Sequence, residues 1–227
     1  MKFFITGTTS GLGRSIQNKL EELSNKLVVL NRSKFNSDTI NQLIIEDLRD
    51  TVSLQNTLSN YSSILEDVDV CIMNAGTLGT INNCIDVSTT DLINSFHINC
   101  LANKVIVDFF LKNSNCKKFV YVSSGAASKP YTGWLEYCST KSYSDAMFRV
   151  YAKENPEKIF ISVSPGAIAT KMQNQIRNSS VEKYPDMQKF VDLFGNNMLR
   201  TPEDAADSII QKINQLKIDD SGSFIKV

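Results

Sequence analysis

Seven short apolar runs, separated by stretches of helical periodicity, constrain this chain more than any other feature. Phe3–Thr6, Leu27–Leu30, Leu43–Ile45, Val68–Met73, Lys118–Val122, Ile159–Val163 and Ser223–Val227 read as strands. Most are continuous apolar runs, as expected for strands covered on both faces. Helical patterns occupy Leu12–Leu23, Thr51–Leu58, Thr89–Lys112, Trp134–Lys153 and Pro202–Leu216. The last starts with a capping hydroxyl, a proline at the first helical position and acids in the first turn (Thr201-Pro202-Glu203-Asp204). Such alternation predicts an α/β fold: a doubly wound central parallel sheet of about seven strands flanked by helices.

One segment breaks the pattern. Ala167 to Arg200 contains no strand and is mixed in composition, so one or two short helices outside the sheet are expected. Ligands of open α/β folds bind beyond the carboxyl ends of the strands. An insertion after the sixth strand is therefore either a substrate lid, at about 167–200, or a structural excursion. With no repeat, low-complexity tract or linker, the whole of 1–227 is expected to form a single domain.

The first strand runs into Thr6-Gly7-Thr8-Thr9-Ser10-Gly11-Leu12-Gly13, which opens a helix. Gly7 permits a tight turn, Gly11 lets a pyrophosphate approach the backbone, and Gly13 lets helix and strand pack closely. The helix end offers free N–H groups and a positive dipole to phosphates. Gly7, Ser10, Gly11, Leu12 and Gly13 are thus candidate dinucleotide-binding residues, and the fold expected is of the Rossmann type. The second strand closes with Asn31-Arg32-Ser33, where an NAD site usually places a carboxylate for the ribose 2′-hydroxyl. A guanidinium can instead hold a 2′-phosphate by charge-assisted bonds worth about 1.5–3 kcal/mol each. NADP(H) is expected over NAD(H), with a solvated surface arginine as the rival reading. Asp47, followed by Leu48 just past the third strand, either accepts a hydrogen bond from the adenine amine or caps the next turn.

Tyr137 and Lys141 lie four residues apart, about one helical turn, and so share a helix face. A free phenol has a pKa of about 10. A neighbouring ammonium favours phenolate and is expected to lower that value, letting the tyrosine exchange a proton at working pH. Taken alone, the pair equally describes a packed ring beside a solvated amine.

Lysine plus arginine equals aspartate plus glutamate, 24 each, so no global positive field gathers nucleic acid. The apolar run Phe3-Phe4-Ile5 is too short for a signal-peptide core or a membrane span, and a cytoplasmic protein is expected, without membrane partners. Five widely spaced cysteines with no C-x-x-C pair argue against a disulfide framework or a zinc site, and no metal is expected. The single histidine, His97, has no nucleophile motif near it and reads as an ordinary helix residue.

These motifs converge. The chain resembles the short-chain dehydrogenases/reductases over essentially its whole length. The matching motifs are TGTTSGLG, Asn74-Ala75-Gly76 after the fourth strand, Asn99, Ser123-Ser124, Tyr137-x-x-x-Lys141 and Pro165-Gly166, in the family's order. Met73 stands where the family usually has a first Asn, a departure without expected effect on chemistry. The resemblance implies that Ser124 bonds the substrate oxygen and that Tyr137 is the general acid for carbonyl reduction. Lys141 would lower the tyrosine pKa and hold the nicotinamide ribose, and Asn99 would help hold a water near the lysine. Pro165, Gly166, Ile168 and Thr170 would cover the nicotinamide, and Asn74, Ala75 and Gly76 would line the cofactor site. Ser123 is expected to point away, since adjacent strand residues face opposite ways.

GWLEYCSTK and SPGAIATKMQNQIRNSS look closest to the sepiapterin reductase/benzil reductase group of that family. That likeness implies NADPH-dependent reduction of a ketone or vicinal dicarbonyl. Trp134, Met172 and Gln173 are candidate substrate contacts or packing residues, and Cys138 is expected to pack without reacting. Two rivals remain: a dehydrogenase of a secondary alcohol or sugar derivative, and a non-catalytic NADP(H)-binding redox sensor. Apolar residues of Leu92–Leu111 spread over more than one helix face, so a homodimer or homotetramer is expected, matching the family habit.

Overall fold

Each strand carries side chains alternately to its two faces, so a sheet of continuous apolar strands must be covered twice. The computed structural model describes residues 1–35, 37, 39–45 and 47–227. Among them the strands are β1 (Lys2–Thr6), β2 (Lys26–Asn31), β3 (Asn41–Ile44), β4 (Val70–Met73), β5 (Lys118–Val122), β6 (Ile159–Ser164) and β7 (Phe224–Lys226). They form one sheet in the order β3-β2-β1-β4-β5-β6-β7, every neighbouring pair parallel. The helices are α1 (Gly11–Glu22), α2 (Thr51–Asn60), α3 (Ser62–Leu65), α4 (Thr89–Phe96), α5 (Ala102–Asn113), α6 (Leu135–Glu154), α7 (Lys171–Arg177), α8 (Gln188–Gly195) and α9 (Pro202–Gln215). The expected doubly wound parallel sheet is thus what the chain forms.

Phe3 and Ile5 point to one face, where Leu12, Ile16 and Leu20 of α1 and Ile209 and Ile213 of α9 bury them. Phe4 points to the other, beneath Leu54 and Leu58 of α2, Ile106 and Phe110 of α5, and Phe148 of α6. Phe4 and Phe110 meet at a ring-centroid distance of 4.9 Å, and Phe119 stacks on Phe160 at 4.5 Å. After β3 the chain crosses back over β1 to form β4. The resulting reversal leaves a crevice at the carboxyl ends of β1 and β4, where such sheets hold ligands.

Thr201 caps α9 as expected, its Oγ1 accepting from the Asp204 N–H at 3.0 Å. The expected single helix over Thr89–Lys112 is corrected in one respect. Residues His97–Leu101 form a π turn between α4 and α5. Its extra residue rotates the apolar stripe out of phase, which accounts for part of the spread of apolar residues over several faces. It also turns Asn99 and Cys100 inward.

Segment 167–200 holds α7 and α8 and closes on itself: Ala169 N–H donates to the Arg200 carbonyl and Arg200 N–H to the Ala167 carbonyl, both at 3.0 Å. Arg200 also reaches the carbonyls of Pro165 (3.1 Å), Asp204 (2.9 Å) and Val227 (2.5 Å), pinning the segment's end to the sheet. A third apolar cluster, with Leu78, Trp134, Tyr184, Met187 and Phe190, joins this segment to the start of α6.

Candidate active site

The glycine turn is built by close approach. Gly7 has φ +73° and its N–H donates to the Leu30 carbonyl at 3.0 Å. A Cβ on Gly13 would overlap the Gly7 carbonyl oxygen and Asn74 Nδ2, so no side chain fits there. Asn74 Nδ2 donates to the Thr6 and Gly7 carbonyls at 3.1 and 3.0 Å, while Thr6 Oγ1 accepts from the N–H groups of Asn74 and Ala75. These bonds tie the β4 end to the turn. Thr170, at the start of α7, stands over Gly11: a Cβ there would lie 3.3 Å from its Cγ2. The backbone N–H groups at the start of α1, a left-handed glycine and the bare Gly13 fit the phosphates of a dinucleotide.

The turn forms one end of a cavity of about 910 Å³. Ser124, Tyr137 and Lys141 line it, as do Trp134, Met172 and Gln173. Gly7, Ser10, Gly11, Leu12, Gly13, Asn31, Arg32, Asp47, Leu48, Asn74, Ala75, Gly76, Pro165, Gly166, Ile168 and Thr170 line it too. Ser33 and Asn99 are outside its lining. Asn31 is buried and its side chain is committed to the turn: Oδ1 accepts from the Thr8 N–H at 2.7 Å and Nδ2 donates to Thr8 Oγ1 at 3.0 Å. Arg32 is exposed. Of the two readings of Asp47, its bonds match the turn cap. Its carboxyl accepts from the Arg49 N–H at 2.9 Å and from Arg49 Nε at 2.7 Å, which holds it below the usual carboxylate range.

Helix α6 projects Tyr137 and Lys141 toward the carboxyl end of β5, and both are buried. Lys141 Nζ donates to the Val122 carbonyl at 2.8 Å and lies 4.6 Å from the Tyr121 ring centroid and 5.5 Å from that of Tyr137. Burial pushes its ammonium down to about 8, partly offset by the charge of Asp145. Tyr137 departs from expectation. Burial pushes its phenol up to about 12, and the neighbouring Ser124 hydroxyl offsets only part of that rise. Desolvation, which helical spacing alone does not reveal, is the largest cause of the shift. The consequence is a phenol that holds its proton at neutral pH.

Asn99 Oδ1 accepts from the Thr77 N–H at 2.8 Å, and Nδ2 donates to the Thr77 carbonyl and Thr140 Oγ1, both at 2.9 Å. Both lone pairs of its backbone carbonyl are occupied, by Asn103 Nδ2 at 2.6 Å and Ser144 Oγ at 2.9 Å. Asn99 therefore joins α6, the π turn and the β4 loop, and keeps one lone pair, on Oδ1. His97 Nδ1 meets the Arg49 carbonyl at 2.9 Å, away from the cavity. Cys138 is half-buried, its thiol pushed up by burial, which agrees with a packing role.

Several lining residues are absent from the sequence reading. Tyr131 and Phe190 flank Trp134 at 4.8 and 5.2 Å, and Trp134 meets Tyr137 edge-on at 5.6 Å, so aromatic rings wall the space beside the phenol. Glu136 is buried directly before Tyr137. Its carboxyl accepts from the Thr80 N–H at 2.8 Å, from Thr80 Oγ1 at 2.5 Å and from Ser95 Oγ, fastening the β4 loop and α4 to α6. An acid beside the Tyr-x-x-x-Lys motif was the available signal.

The family model "short chain dehydrogenase" matches residues 2–180. The chain is 30% identical over 227 residues to a benzil reductase ((S)-benzoin forming) of Bacillus cereus, covering 90% of each. It is 29% identical over 212 residues to the sepiapterin reductase of Bos taurus, covering 82% of this chain and 78% of that one. The crystal structure of the KRED1-Pglu enzyme superposes with a TM-score of 0.88 over 99% of this chain and 100% of that one, at 22% identity, which shows a shared fold. The likeness read from TGTTSGLG and Tyr137-x-x-x-Lys141 holds across the chain: it belongs to the short-chain dehydrogenase family and is an oxidoreductase.

Proposed function

We propose that this chain reduces a ketone or vicinal dicarbonyl of a small molecule with NADPH. The observation that carries this is the meeting of Ser124, Tyr137 and Lys141 at one end of a cavity whose other end is the glycine turn with Arg32 beside it. Bound there, a nicotinamide dinucleotide supplies the hydride. Gly7 to Gly13 hold its phosphates, Arg32 its 2′-phosphate, Lys141 its ribose, and Pro165, Gly166, Ile168 and Thr170 its nicotinamide.

Ser124 Oγ donates a hydrogen bond to the substrate carbonyl oxygen. Tyr137 then gives its proton to that oxygen as negative charge develops on it. A phenol held near 12 is fully protonated at neutral pH, the form a reductase needs. Lys141, cationic below about 8, favours the phenolate left behind. Asn99 positions the Thr77 loop and α6 around these groups. Segment 167–200 serves as the substrate-covering part of one nucleotide-binding domain, and Trp134, Met172 and Gln173 face the substrate. The benzil and sepiapterin reductases among its relatives support reduction as the working direction.

We further infer a cytoplasmic homodimer or homotetramer. Ile93, Tyr143 and Val150 of α4 and α6 are 51%, 43% and 54% exposed, an apolar strip that a second copy would cover. Among the described residues no helix is long and apolar enough to cross a membrane. A monomeric mass by light scattering at micromolar concentration would exclude this assembly.

The test is consumption of NADPH and NADH by the purified chain against a panel of ketones and vicinal dicarbonyls, with the matching alcohols and NADP⁺ run in reverse. Turnover of a dicarbonyl with NADPH preferred, and a preference that drops in Arg32→Asp, is the expected result. No turnover in either direction, despite tight dinucleotide binding, would favour the sensor.

A further inference from the structure

The sheet face beneath α6 changes character along its length. At the lower end Phe148 and Tyr151 of α6 pack on Phe160 and Tyr121, with ring centroids 5.4 to 5.9 Å apart. Two residues further along each strand, on the same face, come Ser123 after β5 and Ser162 of β6. Above them α6 presents Asp145, one turn beyond Lys141 and on the same side of the helix. Three buried polar atoms in this region, Tyr121 Oη, Ser123 Oγ and Asp145 Oδ1, have no hydrogen-bond partner among the described residues. Burial pushes the Asp145 carboxyl up, and the Ser123 and Ser162 hydroxyls and the Lys141 and Arg149 charges offset part of that rise, while Ser123 Oγ and Asp145 Oδ1 close no hydrogen bond of normal geometry. Buried polar groups are nearly always satisfied, so a cluster of orphans marks a site kept polar for a reason.

We propose that Asp145 is the through-space counter-ion of Lys141 and, acting through it, a positioning residue for the site. The charge inventory supports a pair. Facing Asp145 from α6 are Lys141 and, one turn further on, the exposed Arg149. From β5 come the Tyr121 phenol and the Ser123 hydroxyl, from β6 the Ser162 hydroxyl. The Cys100 thiol of the π turn and the Tyr137 phenol complete the surround, and burial keeps both neutral at pH 7, at about 11 and about 12. Among the described residues facing it, Asp145 is the carboxyl that can pair with Lys141, whose Nζ is otherwise held by the Val122 carbonyl and the Tyr121 ring face. An anion one turn away favours the ammonium, so removing it must lower the pH at which Lys141 sheds its proton.

This rests on the proposed use of Lys141, and the experiment separates the two. The full chain, carrying ¹³C-labelled lysine, is titrated by NMR, with Lys141 assigned through its loss in Lys141→Arg. Wild type should titrate near 8. In Asp145→Asn the midpoint should fall by about one pH unit, while Asp145→Glu should restore the wild-type value. If Asp145→Asn does not fold, Asp145→Ser removes the same charge with less bulk. Unmoved midpoints in the charge-removing variants would overturn the pairing. The pH dependence of carbonyl reduction is then compared. A basic limb that moves down with the titration supports the pairing and the proposed reaction together. A midpoint that moves without the rate limb supports the pairing and removes the ammonium from the proposed reaction.

Discussion

Raising the pH should stabilise this protein at one buried position. Lys141 is 4% exposed, and burial pushes its ammonium from 10.5 down to about 8. On unfolding it returns to 10.5. Between those values the folded side chain has shed its proton while the unfolded one keeps it, so the unfolded state binds more protons and stability rises with pH. One unit corresponds to about 1.4 kcal/mol, and between about pH 7 and pH 10 the difference amounts to roughly 2–3 kcal/mol. Tyr137 acts in the opposite sense but later. Its folded value of about 12 lies above the ordinary 10, so its contribution is lost as the pH climbs past 10. Lys141→Met replaces the amine with a neutral chain of similar reach. Urea unfolding of both proteins at stepped pH gives the difference between them, in which shared groups cancel and the lost Val122 bond is a constant offset. Wild type minus variant should climb by that 2–3 kcal/mol across the window. A flat difference would refute the claim that Lys141 is buried against its charge.

Gly13→Ala sets two effects against each other: about 1 kcal/mol of gained helix propensity, and a clash with the Gly7 carbonyl and Asn74 that costs about 1–3 kcal/mol in a packed site. The clash falls on the glycine turn, so fluorescence titration should show dinucleotide affinity down by about tenfold or more, and the melting temperature should fall by about 2–4 °C for each kcal/mol of net cost. Glu136→Leu leaves the buried Ser95 hydroxyl without its acceptor and frees the β4 loop. A loss on the order of 2–4 kcal/mol by chemical unfolding is expected, since the exposed Thr80 can turn its donors to water. Phe190→Ala removes the ring stacked on Trp134, and steady-state kinetics should show KM for an apolar carbonyl raised about tenfold with kcat little changed.

Much of the framework was legible because its causes are local. Continuous apolar runs mark strands covered twice, and three glycines at a strand-to-helix junction mark a turn where a Cβ cannot fit. The Tyr137–Lys141 spacing needs only helical periodicity to bring both groups to one face. What was missed depends on partners distant in sequence or on phase. The π turn at His97–Leu101 adds one residue to an otherwise ordinary apolar pattern, and no periodicity argument detects a single insertion. The Asn31 side chain bonds Thr8, 23 residues away, a partner that composition near a strand end does not reveal. The aromatic wall joins Tyr131 and Trp134 to Phe190 across more than fifty residues of chain. For Tyr137, spacing revealed the charge nearby but not the depth of burial, and burial decides the direction of its shift.

The proposed reduction turns on a proton held by one phenol. Its most direct test is the rate of carbonyl reduction by Tyr137→Phe at saturating NADPH, measured beside its affinity for the dinucleotide. A fall in kcat on the order of 10²- to 10⁴-fold with affinity kept is the predicted result. A phenylalanine variant that reduces its substrate as fast as wild type would contradict it.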